Sequence, residues 1–261
     1  MGEGATNNPF CSRHTRRGRA VSIRPCTLHV RRSAAYLAVM KTTRISSFTE
    51  LLETTVSKRD GRNLIYRGMA SLDWHLLPSL GRTVPRRSNT KLETLEKRMV
   101  KLFKESSLPY LEHRPRTELE WLAMAQHFGL PTRLMDWTYN PLVAIYFAVE
   151  QLLGEDAVVY ALSGAKTIQN PKIDPYKQRS VQRFRPPYIS VRIQQQAGLF
   201  TLHPDPAAPF DHDGLSRVII PAALIPPIKR QLFAYGINQK MIYPGLEGVA
   251  KDIRYHETKN G

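Results

Sequence analysis

Between Gln126 and Ala148 the chain reads QHFGLPTRLMDWTYNPLVAIYFA, a dense set of hydrogen-bonding side chains, seven of which stand out, between two apolar segments. They are Gln126, His127, Arg133, Asp136, Trp137, Thr138 and Asn140. Polar groups pressed against a core must find partners or cost roughly 1–3 kcal/mol each. One account of them is structural: Arg133 pairs with Asp136, Asn140 caps a helix and His127 donates to a carbonyl. The other is a site, because a core needs few such groups. A second cluster is Tyr66-Arg67-Gly68, at the end of the apolar run Leu64–Tyr66. A guanidinium is a planar fork suited to phosphate or carboxylate, and glycine lets a backbone or a ligand approach closely.

Other chemistries find little support. The eight histidines are scattered, without HExxH or a pair at helical spacing, so no metal is expected. There is no GxSxG, P-loop or GxGxxG. The segment YKQRSVQRFRPPY (176–188) sets Arg179, Arg183 and Arg185 around Phe184, a pattern open to nucleic acid but equally to a solvated basic loop.

The elements that would position these groups begin near Met40, where helical patterning is expected. Ser47 and Glu50 form a capping box for a helix ending near Lys58, and RDGRN turns into the strand Leu64–Tyr66. Thr90 to Glu93 is a second capping box, for a helix with Leu92, Leu95, Met99, Leu102 and Phe103 on one face. A helix over Glu118 to Phe128 ends at Gly129, and 132–138 is a strand. Asn140 and Pro141 start a helix that is apolar nearly all round, which belongs in the middle of a domain. Strands follow at AVVYAL (157–162), YISVRI (188–193) and RVII (217–220), with a long loop at 164–187 and closing helices near Pro227–Tyr235 and Leu246–Arg254. Strands and helices do not alternate regularly. The expectation is α+β: one domain with a small mixed or antiparallel sheet surrounded by helices.

The formal net charge is +16, and residues 1–39 hold seven arginines and one acid, leaving about +10 for 40–261. That first stretch reads as a basic, disordered arm, or as the product of a mis-assigned start at a chain whose organised part opens at Met40. Both cysteines, Cys11 and Cys26, lie in it. No disulfide framework holds the domain, which fits a reducing, cytoplasmic setting. No apolar run reaches the roughly 20 residues of a membrane span.

The chain resembles the FRG-domain family, named for a Phe/Tyr-Arg-Gly motif. Tyr66-Arg67-Gly68 matches that motif, followed by Trp74, Leu77, Pro78 and Ser79. The block from Gln126 to Thr138, then Asn140-Pro141, is the strongest match. Arg192, Ile193, Gln196, Gly198, Leu199 and Phe200 match a later run, and IYPGLEGVAKDI the entry to a last helix. The likeness covers about 44–254, with Met135 where leucine is usual and Phe128 where tyrosine is common. A more distant similarity is to ADP-ribosyltransferases, whose arginine holds NAD, whose Ser/Thr hydroxyl braces the site and whose acid stabilises a ribosyl cation. It implies Arg67, Asp136 with Thr138, and then Gln196 in that order. Gln196 in place of an acid is a departure, because it lacks the charge that would stabilise the cation. On this reading Arg67, His127, Asp136, Thr138 and Gln196 are catalytic. Tyr66, Arg67, Gly68, Gln126, Arg133 and Trp137 would bind NAD, in a cleft formed by Tyr66–Gly68, the 126–140 block and a strand ending near Gln196. The alternatives are a nucleic-acid-binding or nucleic-acid-modifying protein, and a non-catalytic module sensing a small, nucleotide-like anion through Arg67 and Arg133.

Overall fold

Seven strands assemble into one sheet in the order β1-β7-β4-β2-β3-β6-β5. They are β1 (Lys41–Arg44), β2 (Ile65–Met69), β3 (Leu134–Thr138), β4 (Ala157–Leu162), β5 (Gln182–Phe184), β6 (Gly198–Leu202) and β7 (Leu215–Ile220). The structure, a computed structural model, describes residues 40–56, 63–85, 89–187 and 191–258. These residues fall within one compact unit, Val39–Gly261, while the basic arm 1–39 lies outside them. Only the pair β1–β7 is parallel; every other neighbouring pair is antiparallel. Among the described residues, eight α-helices accompany the sheet: α1 (Phe48–Val56), α2 (Leu92–Ser107), α3 (Glu118–His127), α4 (Pro141–Val149), α5 (Val191–Gln195), α6 (Ile225–Ala234), α7 (Gln239–Ile242) and α8 (Leu246–Glu257). The fold is α+β with a mixed sheet, and no helix among the described residues is long and apolar enough to cross a membrane.

α4 organises one face of the sheet. Asn140 accepts from the Leu142 amide at 3.0 Å, and Pro141 takes the first turn, where a missing N–H costs nothing. Val143, Ala144, Ile145, Ala148 and Val149 are all fully buried. They pack with Tyr66, Val159 and Ile220 of the sheet and with α1 and α6. The opposite face carries Ile65, Met69, Met135, Trp137, Val158 and Leu162. A third cluster joins α2 and α3 to Leu134, Phe200 and Leu202.

Several local expectations give way to pairing between distant segments. Lys41–Arg44 is an edge strand beside β7, not the start of a helix. β2 runs on through Arg67 and Gly68 to Met69, so Arg67 does not end its strand. Of YISVRI, residues 188–190 lie outside the described residues, and Val191–Gln195 is helical; the strand of that region, β6, begins only after Gln196. The supposed loop 164–187 holds β5 and a turn of 3-10 helix at Pro175–Lys177. α2 starts from Lys91 without a side-chain cap, and Leu102 on its expected apolar face is exposed. At the first capping box, Ser47 accepts from the Glu50 amide, while Glu50 reaches Ser46.

One buried titratable group ties stability to pH. Trp137 Nε1 donates to Thr201 Oγ1 at 2.8 Å, and that hydroxyl in turn meets His203 Nε2 at 2.8 Å. With the ring neutral and Nε2 unprotonated, the hydroxyl accepts from Trp137 and donates to His203. Burial, aided by the charge of Arg67, pushes His203 down to about 3. The folded value lies below the unfolded one, so the unfolded chain binds the extra proton first. Stability is full above about pH 6.5 and falls as the pH drops toward 3, by up to about 1.4 kcal/mol per unit. Denaturant titrations at pH 7 and pH 5 should show that loss in the wild type and a shallower one in His203→Gln. Equal slopes would exclude His203 as the source.

Candidate functional site

Beyond the registered pair Tyr66↔Thr138, β2 and β3 have no further ladder pairs. Arg67 occupies the place where the ladder stops: its Nη1 donates to the Asp136 carbonyl at 2.7 Å and lies 3.7 Å from the Asp136 carboxylate. Its Nε is buried and has no partner among the described residues. A sheet that stops pairing in its middle needs a side chain to satisfy the carbonyls it leaves. That need alone accounts for an arginine here, and the orphaned Nε leaves it one donor in hand.

Asp136 is held from the other side. Ser79 Oγ and Thr132 Oγ1 donate to Gln126 Oε1 at 3.0 and 2.9 Å. With its oxygen so engaged, the amide turns its nitrogen toward Asp136 Oδ2, 2.9 Å away. The carboxylate is still 55% exposed. Gly129, at φ +88°, ends α3 as a left-handed cap and releases the chain toward Thr132.

Arg67, Gln126 and Asp136 line a cavity of about 690 Å³. Tyr66, Arg67, Gly68, Gln126, His127, Asp136, Trp137, Thr138 and Gln196 all contribute to its wall, so nine of the ten expected site residues meet at one hollow, Arg133 being the exception. Their roles differ from those expected. Gly68 is tight against α4 and not an open entrance: a Cβ there would lie 1.8 Å from the Ala144 carbonyl oxygen. Thr138 donates to the Gln196 carbonyl at 2.6 Å and accepts from the Asn140 amide, bracing the turn into α4. Gln196 spends its amide on the Ile242 carbonyl, 2.9 Å away, and so holds α5 to α7. Tyr66 and Trp137 are almost wholly buried, with their polar atoms bonded to Thr55 and Thr201. The His127 ring has no hydrogen-bond partner among the described residues, and burial, reinforced by Arg192, lowers its proton affinity against the pull of Asp136.

Arg133 does not reach the cavity. It is 1% exposed, and its Nε meets Glu96 Oε2 at 2.7 Å, so the expected pair with Asp136 does not form. The basic segment 176–188 also changes character: Arg183 and Phe184 are buried, and the Arg183 guanidinium is spent on the Asn63 and Leu162 carbonyls.

Three further charged groups line the cavity, and of these only Arg192, in the later family-like run, had a sequence signal. Arg82 ends a short 3-10 turn, Arg192 lies on α5 with its guanidinium 4.8 Å from the Tyr243 ring, and Glu150 follows α4. Trp74 and Phe128, both substantially exposed, also line the cavity. No group of three or more His, Cys, Asp or Glu among the described residues is placed to hold a metal.

Neither a curated protein nor a solved structure matches the chain. Arg192, Gln196 and the closing helices lie beyond the part that a family model covers. Within residues 62–157, which hold β2, the Gln126–Asp136 network and α4, the chain matches the model of the FRG domain.

Proposed function

We propose that the cavity binds NAD and that the domain acts as an ADP-ribosyltransferase-like enzyme, with the acceptor left open. The supporting observation is the uneven charge of the wall. Arg67, Arg82 and Arg192 all line it, and among the described residues neither Arg82 nor Arg192 has an acidic partner within 4 Å. Guanidinium groups left unpaired around a hollow favour a phosphate-bearing ligand. The volume falls in the range of about 300–1,000 Å³ usual for small-molecule sites. Exposed Trp74 and Phe128 offer flat faces to nucleotide rings.

Calorimetric titration with NAD tests this reading. Arg82→Gln and Arg192→Gln should each weaken binding about tenfold or more, since each removes a charged hydrogen-bond donor. Chromatography of the same mixtures should detect free nicotinamide. Binding without nicotinamide release would leave a non-catalytic sensor of nucleotide-like anions; no binding at all would end the proposal.

A further inference from the structure

Two carboxylates line the cavity, and they are held differently. Asp136 is compensated by Arg67 at 3.7 Å and by the Gln126 amide. Glu150, at the C-terminal end of α4, has no cationic side chain within 4 Å among the described residues. The ammonium of Lys229 goes to its backbone carbonyl, 3.2 Å away. The carboxylate is nevertheless fixed: Tyr243 donates its hydroxyl to Glu150 Oε1 at 2.6 Å. Burial, and then the charge of Glu150, push the Tyr243 phenol up, so it keeps its proton and stays a donor. The carbonyl end of α4 adds partial negative charge at the same place. Glu150 is therefore an oriented anion with no cation in direct contact, felt by the Lys229 ammonium only across a longer distance, on a wall otherwise dominated by arginines.

Building on the NAD reading, we infer that Glu150 is the catalytic carboxylate that meets the ligand's positive charge. In the bound ligand that charge is on the pyridinium ring. In hydrolysis the bond from the ribose carbon to the ring nitrogen breaks, and its electron pair goes to the nitrogen. A water oxygen bonds to the carbon, and the proton it gives up leaves to solvent. The products are ADP-ribose, neutral nicotinamide and a proton. While the carbon is positive, Glu150 stabilises it, in the role for which Gln196 has no charge. Tyr243 is a positioning residue that acts through Glu150.

The test compares NAD with its reduced form, whose ring is neutral. By calorimetry the wild type should favour the oxidised form about tenfold. Glu150→Gln keeps an acceptor for Tyr243 and should bind both forms alike, with nicotinamide release down about a hundredfold. Glu150→Asp keeps the charge and should keep the preference, which supplies a reading should the glutamine variant not fold. Tyr243→Phe should keep the preference in part, with a smaller loss of turnover. If Glu150→Gln retains the preference and the turnover of an active wild type, the Glu150 assignment falls and the NAD reading stands. A wild type that binds both forms equally also overturns the assignment. A wild type that binds neither overturns both.

Discussion

Gly68→Ala is expected to abolish stable folding, although it adds one methyl group to a single position. The new Cβ would sit 1.8 Å from the Ala144 carbonyl oxygen, 2.6 Å from the Ala148 amide nitrogen and 2.9 Å from the Ala144 carbonyl carbon. Those are backbone atoms of successive turns of α4, so no rotamer change can relieve the contact. Overpacking that side chains can absorb costs about 1–3 kcal/mol. Here α4 must lift off β2 as a unit, and it is the most buried helix of the domain. The loss should exceed that range and consume much of the 5–15 kcal/mol typical of a whole domain. Chemical denaturation followed by circular dichroism measures it, if any folded protein is recovered. Ala144→Gly combined with Gly68→Ala should give no rescue, because the obstacle is a carbonyl and not a side chain. Gly129→Ala is a useful contrast: nothing lies within 4 Å of its added Cβ, and only its φ of +88° opposes the change. That should cost about 1 kcal/mol, the ordinary penalty of a left-handed non-glycine residue. A Gly68→Ala protein with wild-type stability would mean that β2 and α4 are not in contact.

The same glycine shows what the sequence could and could not reveal. A glycine after a strand arginine says that something approaches closely; whether that is a ligand or a helix depends on a segment some 75 residues away. The Gln126–Thr138 block was legible because its polar residues crowd between apolar ones over a dozen positions. Asn140-Pro141 was legible because capping is local chemistry. Arg82 was hidden among several arginines of one basic stretch, and Glu150 looked like an ordinary polar end to an apolar helix. Ser79 was visible in the family-like motif, but its task of turning the Gln126 amide toward Asp136 depends on a contact 47 residues away. The same is true of β1, which pairs with a strand 175 residues distant, and of β5, whose three residues are too few to show a period. α5 reads as a strand in the sequence because Val191 and Ile193 fit an alternation of two as well as anything five residues long can. Site composition was readable where it was contiguous, and unreadable where the sheet order assembled it.

Glu96→Ala carries the second large effect, and it separates the arginine that builds the domain from those that line its cavity. Glu96 and Arg133 are 0% and 1% exposed. The carboxylate accepts from the Arg133 amide at 2.6 Å and from Nε at 2.7 Å, so it fixes both the backbone and the side chain at the start of β3. The guanidinium also lies 4.5 Å from the Tyr176 ring, and its Nη2 is already buried without a partner. Burial raises the Glu96 carboxyl and Arg133 opposes it, so each member keeps the other's charge tolerable. Removing the glutamate leaves a buried cation without its counter-charge, held only by the Tyr176 ring and the Pro175 carbonyl, a loss of about 3–5 kcal/mol. The double variant Glu96→Leu with Arg133→Met removes both charges at similar volume and should recover most of the stability. A double-mutant cycle in denaturant gives the coupling directly, and additive losses would contradict a mutual pair. The double variant should also bind NAD as the wild type does, if the wild type binds it, because Arg133 faces away from the cavity wall. A folded double variant that had lost such binding would show that Arg133 reaches the ligand, or that the seat of β3, and with it Asp136, depends on the bond from the Arg133 amide to Glu96.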